Sequence, residues 1–406
     1  MFGIFIKTTR DNKAIPGDHT AMPHFPTLID DFVFPGDSTV IVQFGDETVT
    51  YDFTEHGSPI HFTDETGKTY IVHSDGTVEV EGGLTLSTDH LFATSDYQVV
   101  FSADPAQEYG FDSYRYLEWQ SDYEAIPLLD SGYYFTSYKS IDPGGEDVVV
   151  ATVVAESGMP GLVFKTTSGR VIPHSSLGGN NYQLTLSAFT SNDFIYAYDD
   201  TLKVGKLWIQ SLANKTKKVV VIPVNGASTP SESELSAQLN SVYQQANVSW
   251  SVEVVDNYSD LGWDTNLDGD LQSADATLMS KYSAEMRSLR DAYFEDHPDY
   301  DKDAYHLFVL PSFDDPAIKG YMVRGRAVGF IKSGEQAQTY AHELGHGAFD
   351  LQHTFPQLEL GTSNNLMDYA DSVHLGQRQW YNIHNNYPTF SFWDGEEDAS
   401  SVTISN

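Results

Sequence analysis

The first half of the chain consists of short apolar runs separated by polar turns, a pattern typical of β-structure. Residues 70–73 and 77–80 flank Ser74-Asp75-Gly76, where glycine can supply the positive φ of a hairpin turn. Further runs of this kind, each predicted to be a strand, cover residues 39–44, 48–53, 97–101, 147–154, 161–164, 182–186, 194–198 and 207–209. Short strands at this spacing predict β-sandwich modules.

The pattern changes after a short basic and polar segment at residues 214–218. Apolar runs predicted to be strands now alternate with segments of helical spacing, and they cover residues 219–224, 250–255, 305–310 and 321–331. Thr229-Pro230-Ser231-Glu232 has the form of a capping box, which predicts a helix after it. A second helix is predicted from about Ser273 to Tyr293. Alternating strands and helices predict an α/β domain.

Together the two patterns predict a multidomain chain, in which an N-terminal all-β, sandwich-like region precedes an α/β (α+β) domain. We expect a β-rich module at residues 1–95, a β-sandwich-like module at residues 96–213 and the α/β domain at residues 214–406.

Composition restricts the possible chemistry. The 406 residues include 22 basic and 58 acidic ones, for a net charge of −36, which disfavours nucleic acid and anionic membranes as partners, although solubility alone would explain it. The chain has no cysteine, so any metal must bind to His, Asp or Glu. No stretch approaches the length of a membrane span, and no signal-peptide core is visible.

The segment His342-Glu343-Leu344-Gly345-His346 carries the clearest chemical signal. On a helix, which a capping box at Ser333 predicts, His342 and His346 lie on one face and can share one ion. Glu343 then reaches a water on the metal rather than the metal, and it can accept a proton as that water attacks a peptide carbonyl. This pattern predicts a catalytic zinc ion.

A catalytic zinc ion has three protein ligands and one open position. His353 is the best candidate for the third ligand, because Gly347 can end the helix in a left-handed conformation and let the chain turn back. Asp350 is the alternative, either as a ligand or as a group that orients a histidine. His374 and His384 are predicted to be structural.

These residues, followed by Asn365-Leu366-Met367-Asp368-Tyr369, resemble the metzincin clan of zinc metallopeptidases. The resemblance covers roughly residues 217–387 and implies a metzincin-like catalytic domain, with Met367 as the structural floor of a Met-turn. It also implies that Tyr369 binds the resting zinc ion or donates to the oxyanion, the alternative being a core tyrosine. The third histidine falls one residue later than in the clan, and Phe349 replaces its glycine.

The sequence around the histidines also resembles that of metallopeptidase domains of secreted, multidomain bacterial proteins. In metzincin-like enzymes an edge strand precedes the active-site helix and pairs with extended substrate, a role that the resemblance gives to residues 321–331. Within that segment Arg324 and Arg326 either favour acidic substrates or, as we expect, are solvated edge charges.

Residues 264–275 match the twelve-residue loop of an EF-hand, with Gly269 at the sharp turn. We predict a structural calcium ion, although a metal-free turn rich in Asp and Asn is the alternative. The predicted calcium ligands are Asp264, Asn266, Asp268, Asp270 through its carbonyl, and Asp275 in place of the usual glutamate.

The sequence therefore predicts a zinc-dependent endopeptidase that acts on proteins or peptides and is secreted or exposed at the cell surface. Two alternatives remain: a bacterial toxin or effector protease released from a larger chain, and an adhesin-like binding protein with a vestigial site. The oligomeric state is not predicted.

Overall fold

The structure is a computed structural model. The structure describes residues 31–36, 39–44, 47–56, 60–63, 69–74, 78–80, 85–87, 89–260, 262–273, 282–354, 358, 360–368 and 372–385. These residues form mostly β-sheet with few helices, arranged in several sheets, as in a multidomain α+β protein. Within them, no helix is both long enough and apolar enough to cross a membrane.

Strands and helices follow one another in this order. The strands are β1 (Asp31–Gly36), β2 (Thr39–Phe44), β3 (Glu47–Asp52), β4 (Ile60–Thr63), β5 (Thr69–Val72), β6 (Val78–Val80), β7 (Thr85–Leu86), β8 (Gln98–Ser102), β9 (Phe111–Asp112), β10 (Glu124–Pro127), β11 (Tyr133–Phe135), β12 (Ser137–Ile141), β13 (Glu146–Val154), β14 (Leu162–Thr166), β15 (His174–Gly178), β16 (Asn181–Ser187), β17 (Asp193–Asp199), β18 (Leu202–Ser211), β19 (Lys215–Pro223), β20 (Val248–Val254), β21 (Tyr305–Leu310), β22 (Gly320–Met322) and β23 (Val328–Lys332). The α-helices are α1 (Phe53–His56), α2 (Glu232–Tyr243), α3 (Ala284–Asp296), α4 (Ala337–Phe349) and α5 (Gln377–Asn385), and two 3-10 turns cover Leu117–Asp122 and Gln244–Ala246.

The strands before residue 212 form four sheets. Their orders are β1-β2-β3, β11-β10-β7-β6-β5-β4, β14-β17-β18-β12-β9 and β15-β16-β13-β8. The last two sheets share one apolar core, to which Val149 and Leu184 contribute from one sheet and Phe164 and Leu207 from the other. The second sheet combines strands from both sides of residue 95, and the division of the chain into three units stays a prediction.

The fifth sheet has the order β20-β19-β21-β23-β22. All its neighbouring strands are parallel except β22, which runs antiparallel to β23. Residues 219–222 of β19 are apolar on both faces because helices cover both: α2 and α4 pack with Val219 and Val221, and α3 packs with Val220 and Ile222. This sheet carries the helix of the predicted metal site.

Two predicted elements differ from those in the structure. The single strand expected over residues 321–331 is a hairpin of β22 and β23, because the chain turns at Gly325 with a φ of +65°. The helix expected from Ser273 begins in the described residues at Ala284, where the Ser283 side chain accepts a hydrogen bond from Met286 N at 3.1 Å. Residues 274–281 lie outside the description.

Candidate metal centre

Helix α4 begins and ends later than the sequence predicted. Its N-cap is Gln336 rather than Ser333, because the Ser333 hydroxyl already accepts a hydrogen bond from Ser228 N at 2.9 Å. The helix also continues through Gly347 and ends at Phe349, and the next residue, Asp350, takes the left-handed conformation with a φ of +56°.

Gly347 has a different role from the predicted helix end. A Cβ atom at this position would lie 2.1 Å from the Met322 side chain and 2.7 Å from the backbone oxygen of Arg326. Glycine therefore lets the hairpin of β22 and β23 lie directly against the helix. Gly325 N also donates to His346 O at 3.0 Å, which ties the turn of the hairpin to α4.

The three predicted zinc ligands come together. The Nε2 atoms of His342, His346 and His353 lie 3.1, 3.1 and 3.2 Å from one another. All three side chains are buried. Among the described residues, these three histidines form the group of His, Cys, Asp or Glu side chains whose ligand atoms lie close enough to one another to hold a metal ion.

Backbone carbonyls orient two of the rings. His342 Nδ1 donates to Leu366 O at 2.8 Å, and His346 Nδ1 donates to Leu351 O at 2.7 Å. A proton on Nδ1 leaves the Nε2 lone pair free to bind a metal. Neither carbonyl has a signal in the sequence, since each is supplied by the backbone of a loop.

Burial keeps the imidazoles neutral. It lowers the pKa of His342 to about 4, against the smaller opposing effect of its hydrogen bond to Leu366 O. Burial, followed by the nearby His342 and Arg324, lowers the pKa of His353 to about 2. The pKa of His346 is also well below its usual value, again chiefly through burial. Neutral imidazole is the form that binds metals.

This donor set fits zinc. Zinc–nitrogen bonds of about 2.0–2.1 Å at tetrahedral angles place neighbouring nitrogens roughly 3.3 Å apart, close to the spacing in the structure. Three nitrogen lone pairs that face one another repel unless a cation lies between them. Three ligands leave one tetrahedral position open, as in catalytic zinc sites.

Asp350 does not join this group. Its carboxylate faces Arg324 Nε at 3.9 Å, and the Arg324 side chain is only 8% exposed. The expectation of a solvated edge charge is therefore wrong for Arg324, which lies close enough to lower the pKa of both His346 and His353. Arg326 is exposed, as expected.

Glu343 is 3% exposed and lies against β22. A Cβ atom added to Gly320 would lie 2.6 Å from its Oε1 atom. No pattern in the sequence indicates that Gly320 makes room for this carboxylate, because the contact depends on how the sheet packs against α4.

Met367 is fully buried against the same helix. Its Sδ atom lies 2.7 Å from the position that a Cβ atom on Gly345 would take, and its backbone oxygen accepts from Thr354 N at 3.2 Å. Asn365 Oδ1 accepts from Met367 N at 2.9 Å and fixes the turn. The role of Met367 as a floor of the site stays a prediction, and Tyr369 lies outside the described residues.

His374 and His384 lie apart from the three ligands. His374 Nε2 lies 3.1 Å from Asp112 Oδ1, and His384 Nε2 donates to Ala246 O at 2.7 Å. Both contacts join separate parts of the chain, in agreement with a structural role.

The predicted calcium loop is described up to Ser273, so Asp275 lies outside the described residues. The Asp264 carboxylate accepts from the backbone N–H groups of Leu267, Asp268 and Gly269, and Gly269 has a φ of +85°. Asn266 Oδ1 accepts from Asp268 N at 3.1 Å, and Ser312 Oγ donates to the Asp270 carboxylate. The calcium ion stays a prediction.

Glu285 on α3 contacts this loop, and the sequence pattern did not predict its role. It is fully buried, and its two carboxylate oxygens accept from Thr265 N at 2.8 Å and Gln272 N at 3.0 Å. These bonds hold Thr265 and Gln272 close together. The twelve-residue motif does not include Glu285, because that residue follows the loop in sequence.

Comparisons with known proteins add little to this geometry. No family model matches the chain, and no curated protein matches it. The solved structures similar to it include the crystal structure of an archaemetzincin from Methanopyrus kandleri, with 14% sequence identity over 42% of this chain and 95% of that one. The TM-score is 0.29, which is too low to establish a common fold.

Proposed function

We propose that the chain is a zinc-dependent endopeptidase, with zinc bound by His342, His346 and His353. The observation that carries the proposal is the convergence of three neutral Nε2 atoms at 3.1–3.2 Å beside a buried glutamate. Zinc bound there supplies a Lewis acid that activates a water molecule and polarises a peptide carbonyl.

In the proposed reaction Glu343 is the general base. It takes a proton from the attacking water and passes it to the amine that leaves when the peptide bond breaks. The carboxylate lies against β22, in space that the absence of a Cβ atom on Gly320 provides. Tyr369, by resemblance, would stabilise the oxyanion.

The substrate is proposed to be an extended protein or peptide segment. In the described part of the sheet β22 is one of the two edge strands, the other being β20, and it lies directly against Glu343. An extended peptide can add to such an edge through main-chain hydrogen bonds, which accept many sequences. This arrangement supports endopeptidase activity rather than action on a small molecule.

The proposed fold is an N-terminal all-β region followed by a metzincin-like domain. The order β19, α2, β20, α3, β21, β22, β23, α4 and α5 agrees with it, as does the position of Met367 against α4. A structural calcium ion in the loop at residues 264–275 and a location outside the cell complete the proposal. Both rest on the sequence.

The test is zinc content and proteolysis in the same samples. We expect the purified chain to hold one zinc ion and to cut casein or a mixed peptide library. The variant Glu343→Gln should keep its zinc and lose at least about a hundredfold in rate, since it lacks the base. Glu335→Gln, just before the same helix, is the matched control and should retain activity.

One outcome would favour the adhesin-like alternative. If the zinc-loaded wild type leaves both casein and the peptide library uncut, the site binds metal without catalysing hydrolysis and the proposal is wrong.

A further inference from the structure

Asp112 connects the β-rich part of the chain to the segment that precedes the last helix. It lies at the end of β9 and is 2% exposed. Its Oδ1 atom lies 3.1 Å from His374 Nε2, and its Oδ2 atom accepts from Gln377 N and from the Tyr123 hydroxyl, both at 2.8 Å. One buried carboxylate thus holds both His374 and the first turn of α5.

The backbone of His374 continues this connection toward the metal centre. Leu366 N donates to His374 O at 2.7 Å, and His374 N donates to Asn364 O at 3.1 Å. Leu366 O is in turn the acceptor for His342 Nδ1 at 2.8 Å. Three hydrogen bonds therefore connect Asp112 to His342, the predicted zinc ligand: one between Asp112 and the side chain of His374, one between the backbone of His374 and Leu366 N, and one between Leu366 O and His342.

Other contacts from the β-rich part support the same region. The Tyr116 hydroxyl accepts from Asn364 N at 3.3 Å. Gly110 lies so close to Trp380 on α5 that a Cβ atom there would be 2.4 Å from the indole ring. The two parts of the chain are therefore in close contact beside the segment that carries Leu366.

We propose that Asp112 is a positioning residue for the metal centre, acting on His342 through His374 and Leu366. The inference rests on the proposed function, because it requires zinc at His342. Partners outside the ligand set fix the orientation of a metal-binding imidazole, and a displaced carbonyl would leave the buried Nδ1–H without its acceptor. Residues 96–213, which include Asp112, then help to fix the geometry of the metal centre.

The test compares zinc affinity with stability. Asp112→Asn keeps an oxygen for Gln377 N but replaces the oxygen that faces His374 Nε2 with an amide nitrogen, and we expect it to bind zinc about tenfold more weakly in competition with a chelator. The matched control is Asp142→Asn, since Asp142 Oδ1 also joins the two parts of the chain by accepting from Asn247 Nδ2 at 2.7 Å. The control should keep wild-type zinc affinity.

A second pair of variants separates positioning from simple destabilisation and also serves if Asp112→Asn does not fold. His374→Gln retains a side-chain donor that can reach Asp112, so it should bind zinc nearly as wild type does, whereas His374→Ala should not. With cobalt(II) in place of zinc, the visible absorption band should shift in His374→Ala and return in His374→Gln.

Two results would overturn the inference while leaving the proposed function intact. One is wild-type zinc affinity and an unchanged cobalt spectrum in both Asp112→Asn and His374→Ala. The other is a loss of affinity in Asp142→Asn as large as in Asp112→Asn. A wild-type chain that binds no zinc would instead contradict the proposed function itself.

Discussion

Gly320 on β22 and Glu343 on α4 are in direct contact, and a Cβ atom on Gly320 would lie 2.6 Å from Oε1 of the carboxylate and 2.8 Å from its Cγ atom. The proposed general base is thus positioned by the strand beside which the substrate is proposed to bind. A side chain at residue 320 would have to displace Glu343.

Gly320→Ala should therefore reduce peptide cleavage while zinc stays bound. Displacement of a catalytic group by about 1 Å can cost about a hundredfold in rate, which is the loss that we expect in kcat/KM. Gly262→Ala is a suitable control, because the nearest atoms to a Cβ there belong to the Asp260 side chain, at 3.2 Å or more. Full activity in Gly320→Ala would show that the glutamate is not held by this contact.

The second prediction concerns Met367. Because it is fully buried against Gly345, Met367→Ala leaves a cavity and should cost about 2–5 kcal/mol in the free energy of unfolding. Met367→Leu conserves volume and should cost less than about 1.5 kcal/mol. Urea denaturation of both variants measures this difference, and equal losses would mean that Met367 does not fill a tightly packed position.

The cluster of three histidines could be predicted from the sequence because their spacing is local. His342 and His346 are on one helix face, and His353 follows within a short loop. The groups that orient them could not be predicted in this way. Leu366 O and Leu351 O are backbone atoms, and Asp112 lies more than two hundred residues before His342 in the sequence.

The alternation of strands and helices after residue 214 could also be predicted, but the ends of elements could not. Both proposed capping boxes were misplaced: α2 is capped by Ser231 with Glu234, and Ser333 bonds to Ser228 instead of capping α4. Before α2 several hydroxyl groups lie close together in sequence, and Ser231 rather than Thr229 caps the helix. Helix α4 instead begins after Gln336, which makes no side-chain capping bond. The turn at Gly325 could not be predicted, because apolar residues lie on both sides of it and the segment has the pattern of one continuous strand.

The third prediction is calcium binding by the loop at residues 264–275. Calorimetry on calcium-stripped protein should detect binding at millimolar calcium or below, a range typical of extracellular calcium modules. Asp264→Asn should abolish it, whereas Asp260→Asn, just before the loop, should not. Absence of binding in the wild type at millimolar calcium would support the metal-free alternative.

The fourth prediction is a pH effect from Lys139. This lysine is fully buried, pairs with Asp147 and donates to Tyr109 O at 3.2 Å, close to Asp112 in sequence. Burial lowers its pKa to about 8, although Asp147 opposes the shift. Between about pH 8 and 10.5 the unfolded chain keeps a proton that the folded chain has released, so this group's contribution to stability rises with pH.

Comparison with Lys139→Met isolates this effect from other titrating groups. The free energy of unfolding of the wild type, relative to the variant, should increase as the pH rises from about 8 to 10.5. Urea denaturation at several pH values measures it. A difference that stays constant, or falls, over this range would show that the folded chain does not hold Lys139 with a lowered pKa.

The central claim is that three histidines bind one zinc ion. An anomalous difference map, recorded at the zinc absorption edge from crystals of the zinc-loaded protein, tests it directly. We predict a peak at about 2.0–2.1 Å from the Nε2 atoms of His342, His346 and His353. No peak between these atoms, or a peak bound by Asp350 in place of His353, would contradict it.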